Sequence, residues 1–281
     1  MKPKLKLVPL APAGVKPILR WAGGKSWFVK EFGDDVFSLV VKKGGRYIEP
    51  FLGGGAMALH LGLKDMVLGD CESDLIMAYQ IIRDEPTQLS TLLSLLEEHH
   101  GSGKETYYQV RDTEAKSMVE IAARLIYLNR LCWNGVYRKN AKGEFNVPYG
   151  NKEKTMPTLE QIVEVSRTIS HSELYAADFE KLIGEAREGD VIYVDPPYDG
   201  VFSDYTSKGF DAHDQERLAE ALYDAHKRGA SFIAHNSDTD LVRYLYGEWT
   251  EVNPIEEKRP INSKGGERGG VPCVLITVGV Q

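Results

Sequence analysis

Val191-Ile192-Tyr193-Val194-Asp195-Pro196-Pro197-Tyr198 is the stretch that decides the fold of this chain. Four apolar residues in a row predict a buried strand, and two prolines predict where it stops. Proline has a fixed φ and no N–H to give a β-ladder. The stop leaves an acid, two rigid rings and an aromatic ring at the carboxyl end of a strand, where open α/β sheets bind ligands. The chemistry suits an exocyclic amine on a base. The carboxylate and the adjacent carbonyl accept N–H bonds, the prolines fix the turn, and the aromatic ring stacks. The same four residues also serve as plain strand-to-turn punctuation, so the rest of the chain has to decide.

Working outward, Arg46-Tyr47-Ile48-Glu49-Pro50-Phe51 reads as a strand, Leu52-Gly53-Gly54-Gly55 as a turn, and Ala56 to Leu61 as a helix. A strand, a glycine turn and a helix open a Rossmann-like nucleotide site, because glycine lets the backbone approach a ligand at the helix N-terminus. Met66-Val67-Leu68-Gly69-Asp70 follows as a second strand ending in an acid. An acid at that strand tip can take both hydroxyls of a ribose. Position 58 is Ala, so the G-x-G-x-x-G pattern of dinucleotide enzymes is absent, and a nucleoside without an obvious pyrophosphate fits. Gly24-Lys25-Ser26 mimics the tail of a phosphate-binding loop. That loop needs a glycine at position 19, which is Leu, so a nucleotide triphosphatase is excluded.

Elsewhere the pattern alternates. Residues 73–98 read as helical, as do Glu120 to Leu131 and Glu216 to Lys227. Strands are expected at the end of 166–178, where a short helix follows Ala176-Ala177-Asp178-Phe179, at 190–194 and over Ala230 to His235. Thr250 to Glu257 and Val271 to Val280 read as a closing β-pair around a glycine-rich loop. Trp133 to Gly150 is polar and basic without periodicity, as in a surface hairpin or loop. Strands alternating with helices predict a largely parallel, doubly wound α/β sheet.

Composition narrows the class. The 281 residues are 42% hydrophobic and 27% charged, ample for a core plus an insertion. No run is long enough to span a bilayer. The N-terminal apolar part is too short and too interrupted by Pro9 and Pro12 to be a signal peptide, so an intracellular protein is expected. Cys71, Cys132 and Cys273 are far apart and read as reduced packing residues, with no metal-ligand pattern. His99-His100 reads as part of a polar loop beside Gly101. The net charge of −7 argues against a wholly phosphate-binding surface, so any nucleic-acid contact has to be local. Two basic clusters qualify: Arg138 to Lys154, and Lys258, Arg259, Lys264 and Arg268.

Taken together, these residues resemble the Dam-type DNA adenine-N6 methyltransferases of the α-class, from about Leu19 to Val278. The anchors are Trp21-Ala22-Gly23-Gly24-Lys25, Glu49 to Gly55, Asp70 with Ser73-Asp74-Leu75, Tyr127-Leu128-Asn129-Arg130 with Asn134-Gly135, Arg138, Asn140 and Gly143 to Gly150, and the DPPY motif Asp195 to Tyr198. The resemblance implies a Rossmann-like S-adenosylmethionine methyltransferase sheet with an inserted, mainly helical target-recognition domain carrying a basic hairpin. The catalytic, cofactor-binding domain would be 1–75 and 158–281, and the target-recognition domain 76–157. Trp21, Lys25, Glu49, Phe51, Gly53 and Gly55 would line the cofactor site. Asp70 would hold the ribose and Asp178 with Phe179 the cofactor adenine. Asp195 would stand where donor and acceptor meet.

The implied substrate is an adenine flipped out of duplex DNA, because a stacked base cannot present its amine to a buried cofactor. Asp195, Pro196, Pro197 and Tyr198 would be the catalytic residues. Arg138 would read a guanine edge of GATC, with Val136 and Pro148 near a thymine methyl, Trp133 and Asn134 near the gap left by the base, Asn140 in the same segment and Arg20 at the outer guanine. Two departures point to a relaxed or shifted outer position. Trp133 and Val136 stand where Tyr and Leu are commoner, and Asn151-Lys152-Glu153-Lys154 lacks an aromatic that some relatives have. The expected protein is a cytoplasmic, nucleoid-associated monomer of a bacterium or an infected cell, without a metal. Three alternatives remain: an N4-cytosine methyltransferase, a non-catalytic DNA-binding module on the same scaffold, and a methylase of RNA or protein.

Overall fold

The structure is a computed structural model that describes residues 11–21, 23–100, 103–140, 142–150, 155–200, 210–257 and 271–280. The helices are α1 Ser26–Lys43, α2 Ala56–Leu61, α3 Ser73–Asp84, α4 Pro86–His100, α5 Lys104–Asp112, α6 Met118–Leu131, α7 Leu159–Thr168, α8 Phe179–Gly184, α9 Ala212–Lys227 and α10 Asp240–Tyr246. The strands are β1 Tyr47–Glu49, β2 Met66–Asp70, β3 Glu173–Ala176, β4 Val191–Val194, β5 Ser231–Ser237, β6 Glu251–Glu257 and β7 Val271–Val278.

The seven strands form one sheet in the order β3-β2-β1-β4-β5-β7-β6. Pairing is parallel from β3 through to β5, and β7 joins antiparallel to both β5 and β6. This bears out the mainly parallel sheet and the closing β-pair. The central strands are buried on both faces, so they show a continuous apolar run rather than alternation. Their side chains nevertheless alternate in destination. Tyr47, Met66, Leu68, Val191 and Tyr193 join the core beneath α1 and α2, whereas Ile48, Val67, Ile192 and Val194 join the core beneath α8 and α9.

Strand order reverses at β1. From there the chain goes to β2 and β3 on one side, and returns to β4 on the other. The register Tyr47↔Val191 and Ile48↔Ile192 therefore sets the loop after β1 beside the loop after β4. That is the topological switch point, where open sheets form their ligand crevice.

Residues 76–157 run between β2 and β3 and are mainly helical. Leu89, Leu93, Tyr107, Ala122, Ile126 and Tyr127 of this segment belong to the same buried cluster as Phe28, Met57 and Tyr47. The helices are thus packed on the sheet layer through one continuous core, and α3 carries the chain across position 76.

Some expectations need correction. The helix read over 73–98 is two helices, because Pro86 starts α4 and forces the preceding Glu85 out of helical geometry at φ −131°. His99-His100 ends α4 instead of lying in a loop. Cys132 and Cys273 are buried but Cys71 is exposed, so only two cysteines are packing residues. The 133–150 segment forms antiparallel bridges Cys132↔Tyr149 and Lys139↔Phe145, yet Tyr137, Phe145 and Val147 are buried, so its inner edge is part of the core. Lys152 and Lys154 of the first basic cluster, the 151–154 departure and the whole second cluster from Lys258 to Arg268 lie outside the described residues. No helix among the described residues is long and apolar enough to cross a membrane, and no cluster of potential metal ligands occurs among them.

Candidate active site

The crevice begins with the glycine turn. Gly53 and Gly55 have φ of +48° and +65°, a region open to glycine but strained for other residues. A Cβ on Gly53 would come within 2.9 Å of Trp21 Cδ1, and one on Gly55 within 3.0 Å of the Tyr79 hydroxyl. The backbone therefore approaches both side chains as closely as it can. The Tyr79 hydroxyl is buried and has no hydrogen-bond partner among the described residues.

Asp70, at the tip of β2, closes the turn. One carboxylate oxygen accepts from Gly53 N at 3.0 Å and the other from Glu72 N at 3.0 Å. A carboxylate has about four acceptor positions, so lone pairs remain for hydroxyls of a ligand. Glu49, at the end of β1, is buried. Its Oε2 accepts from the Tyr47 hydroxyl at 2.9 Å and from Ala58 N at 3.2 Å. Burial pushes its carboxyl up to about 8, more than the two hydrogen bonds can offset.

Phe51 stacks on Phe179 with centroids 5.4 Å apart. Phe179 opens α8, and Asp178 is its N-cap, accepting from Glu180 N at 3.0 Å. Arg217 of α9 also binds Asp178 at 3.0 Å and lies over the Phe179 ring. Asp178 is exposed beside the aromatic pair.

On the other side of the switch point stands Asp195, directly after β4. Its Oδ1 is 3.0 Å from Lys25 Nζ. Lys25 is almost fully buried just ahead of α1, donates to the Gly23 carbonyl at 2.8 Å, and lies over the Tyr198 ring at 5.0 Å from its centroid. One cation thus joins the strand-end acid, the turn aromatic and the segment carrying Trp21. The nearby His235 on β5 is buried edge-on to Phe28, and burial reinforced by the Lys25 charge pushes its imidazole well below the usual range, keeping it neutral.

The residues expected to face a polymer form a second group. Trp133 and Asn134 are exposed in a 3-10 turn, Trp133–Gly135, and Asn134 has φ +54°. Pro148 is exposed, and its carbonyl accepts from Trp133 N at 2.8 Å. Val136 is half-buried. Arg138 Nε donates to Asn146 Oδ1 at 2.9 Å within the hairpin. Asn140 builds the hairpin turn: its Oδ1 accepts from Lys142 N and Glu144 N, and its Nδ2 donates to Glu144. Arg20 is exposed next to the 133–135 turn, where a Cβ on Gly135 would come within 2.7 Å of Arg20 Cβ.

Several residues with structural jobs at the site had no role in the sequence reading. Asn129 is fully buried, and its amide accepts from Arg20 N and donates to the carbonyls of Arg20 and Gly135. It stands among the sequence anchors, but nothing in its spacing gave it a task. Tyr137 stacks on Trp21 at 4.9 Å and bonds Asp74, and Lys139 pairs with Glu72 at 2.6 Å and Asp74 at 2.8 Å. The hairpin is thereby fastened to the loop after β2. Gln215 and Asn236 approach the Asp195–Tyr198 turn from behind. No periodic signal marks a buried amide, so only the tertiary contacts reveal them.

The chain is similar to known DNA methyltransferases. Residues 21–261 match the family model described as D12 class N6 adenine-specific DNA methyltransferase. The chain is 32% identical to a type II methyltransferase of Lactococcus lactis subsp. cremoris, with 94% of this chain and 95% of that protein aligned. It is 35% identical to a type II methyltransferase of Methanocaldococcus jannaschii, over 93% of this chain and 98% of the relative. It is 31% identical to a DNA adenine methylase of Escherichia coli strain K12, over 92% and 94% respectively.

Proposed function

From its membership of the D12 class N6 adenine-specific DNA methyltransferases, to which this chain belongs, we propose how its crevice carries out DNA adenine methylation and at which sequence. The donor is S-adenosylmethionine, the target is the adenine of GATC in duplex DNA, and the enzyme acts as a monomer. The N4-cytosine alternative is set aside, since the matching family is adenine-specific.

One observation carries the reading. The adjacency of β1 and β4 brings the glycine turn and Asp70 to the same crevice as Asp195 to Tyr198. A nucleoside site and an amine site thereby share one wall. The residues fit the donor. Gly53 and Gly55 let the turn pack tightly against Trp21 and Tyr79, Asp70 keeps acceptor capacity for ribose hydroxyls, and Phe51, Asp178 and Phe179 offer a flat apolar wall with an acid beside it. Trp21, Lys25 and Glu49 complete the lining. When bound there, S-adenosylmethionine would supply a methyl group activated on a sulfonium.

The chain contributes position. A flipped adenine stacks on Tyr198, and its N6 hydrogens are accepted by Asp195 and the Pro196 carbonyl. The Pro197 carbonyl is already engaged by Gln215, so the two prolines divide the work of facing the base and fixing the turn. Orienting the nitrogen lone pair in line with the methyl group is the main catalytic term. Asp195 takes up proton density as the amine acidifies, and Lys25, 3.0 Å away, balances its charge in the meantime. Residues 76–157 form the target-recognition part on the catalytic remainder. Arg138 reads a guanine, Trp133 and Asn134 stand at the vacated gap, Val136 and Pro148 meet a thymine methyl, and Arg20 meets the outer guanine. Asn140 holds the hairpin turn that presents Arg138.

Plasmid DNA treated with the protein and S-adenosylmethionine, then cut by paired enzymes specific for methylated or unmethylated GATC, tests the reading. Methyl-dependent cutting is the expected result. N6-methyladenine in digested nucleosides without it would keep the chemistry and overturn the site. No methylated base would overturn both.

A further inference from the structure

A Pro-Pro turn is hard to hold. Pro196 and Pro197 have no N–H; beside the N–H and carbonyl of Tyr198 itself, the two peptide planes that flank it offer the Pro197 carbonyl and the Asp199 N–H. Two buried amides take these two handles. Gln215, fully buried in the first turns of α9, donates from Nε2 to the Pro197 carbonyl at 3.0 Å. Asn236, buried near the end of β5, accepts at Oδ1 from Asp199 N at 3.0 Å and from Ser237 N at 2.9 Å. The amides are joined, Asn236 Nδ2 donating to Gln215 Oε1 at 2.9 Å. The Asp199 carboxylate is held in turn by the Thr239 hydroxyl at 2.6 Å.

The direction of this chain is forced. A backbone carbonyl can only accept, so the Gln215 nitrogen must face Pro197. A backbone N–H can only donate, so the Asn236 oxygen must face Asp199. The remaining oxygen and nitrogen then meet with complementary roles. Both peptide planes that flank Tyr198 are pinned, and with them its φ and ψ, which set where the ring points.

We infer that Gln215 and Asn236 are positioning residues for methyl transfer: through the peptide planes on either side of Tyr198 they aim its ring at the target base. This rests on the active-site reading proposed above. Both side chains are buried behind the turn, so their loss acts on turnover through it. An active-site group displaced by about 1 Å can cost about 100-fold in rate.

Gln215→Glu tests it. When protonated, the carboxyl introduced by this substitution has one O–H donor for the Pro197 carbonyl and one acceptor for Asn236, reproducing both bonds. When ionised, it turns an acceptor toward the carbonyl and breaks the clamp. The expected result is a kcat reduced about 10- to 100-fold at alkaline pH, recovering toward wild type as pH falls, with unchanged KM and equilibrium binding for S-adenosylmethionine. Asp211, Asp214 and Arg217 on α9, His235 on β5, and Asp195 and Asp199 at the turn are shared with the wild type, whose own profile is the baseline. A wild-type kcat profile in a variant with only a lowered melting temperature would overturn the positioning role. If Gln215→Glu does not fold, Gln215→Met decides: a pH-independent loss of kcat with intact donor binding supports the role, and full kcat overturns it. Failure of the active-site reading is separately visible as wild-type protein that yields no methylated adenine.

Discussion

At the scale of single residues, the site is a set of charges with matched partners. Asp195 faces Lys25 at 3.0 Å, so removing the acid leaves a nearly buried ammonium without its counter-charge. Asp195→Ala is expected to abolish methyl transfer while retaining part of the S-adenosylmethionine affinity, read by turnover and by calorimetric binding. Full activity would remove Asp195 from the mechanism. Glu49 gives a pH prediction. Its folded-state carboxyl is raised to about 8, so the folded protein holds this proton more tightly than the unfolded chain does. The stability it contributes is complete below the ordinary carboxylate range and is lost as pH rises toward about 8. Urea midpoints should therefore fall less steeply over that window in Glu49→Gln than in the wild type. Parallel profiles would mean that Glu49 is ionised in the fold.

At the scale of elements, the hairpin after α6 presents two adjacent cations with different partners. Among the described residues Arg138 is held within the hairpin by Asn146, whereas Lys139 is fastened to Glu72 and Asp74 beside the β2 tip. Arg138→Ala should relax choice at one guanine, costing roughly 1–3 kcal/mol of discrimination. Uniformly weaker binding across single-base variants would make it a phosphate contact. Lys139→Ala should leave the salt dependence of DNA binding unchanged, since a residue neutralised within the protein releases no counterion from DNA. A slope reduced by about one would place it on a phosphate.

Legibility also differs by element. The strands β1, β2 and β4 and the turns that follow them stand out in the sequence, since apolar runs, glycines and prolines each have a local cause. The break at Pro86 was equally local but was hidden under the apolar spacing of Leu89, Leu92, Leu93 and Leu96, which continues a helical face across it. The hairpin looked wholly superficial because Tyr137, Phe145 and Val147 are scattered among polar neighbours. Their surroundings include Trp21, Asp74 of α3 and Tyr107 of α5, which no local window contains.

At the scale of the molecule, Asn129 draws distant segments together. From the C-terminal half of α6 it binds the backbone of Arg20 on one side and of Gly135 on the other. Asn129→Ala would leave buried peptide groups unsatisfied, and a loss of about 1–3 kcal/mol in unfolding free energy is expected from denaturant titration. A change below a few tenths would mean that water replaces the amide.

The sequence by itself determined the order of the motifs, the largely parallel, doubly wound sheet, the two strand ends that bear acids, and the resemblance that the family match bears out. Each rests on local stereochemistry or periodicity, which a linear reading can see. Only the tertiary structure decided which groups meet. The β1–β4 register set the glycine turn beside Asp195, the packing of α1 brought Lys25 to it, and α9 with β5 placed Gln215 and Asn236 behind Tyr198. Such pairings join residues far apart in the chain, and their partners are chosen by burial and hydrogen-bond satisfaction of the whole fold rather than by any property of the neighbouring sequence.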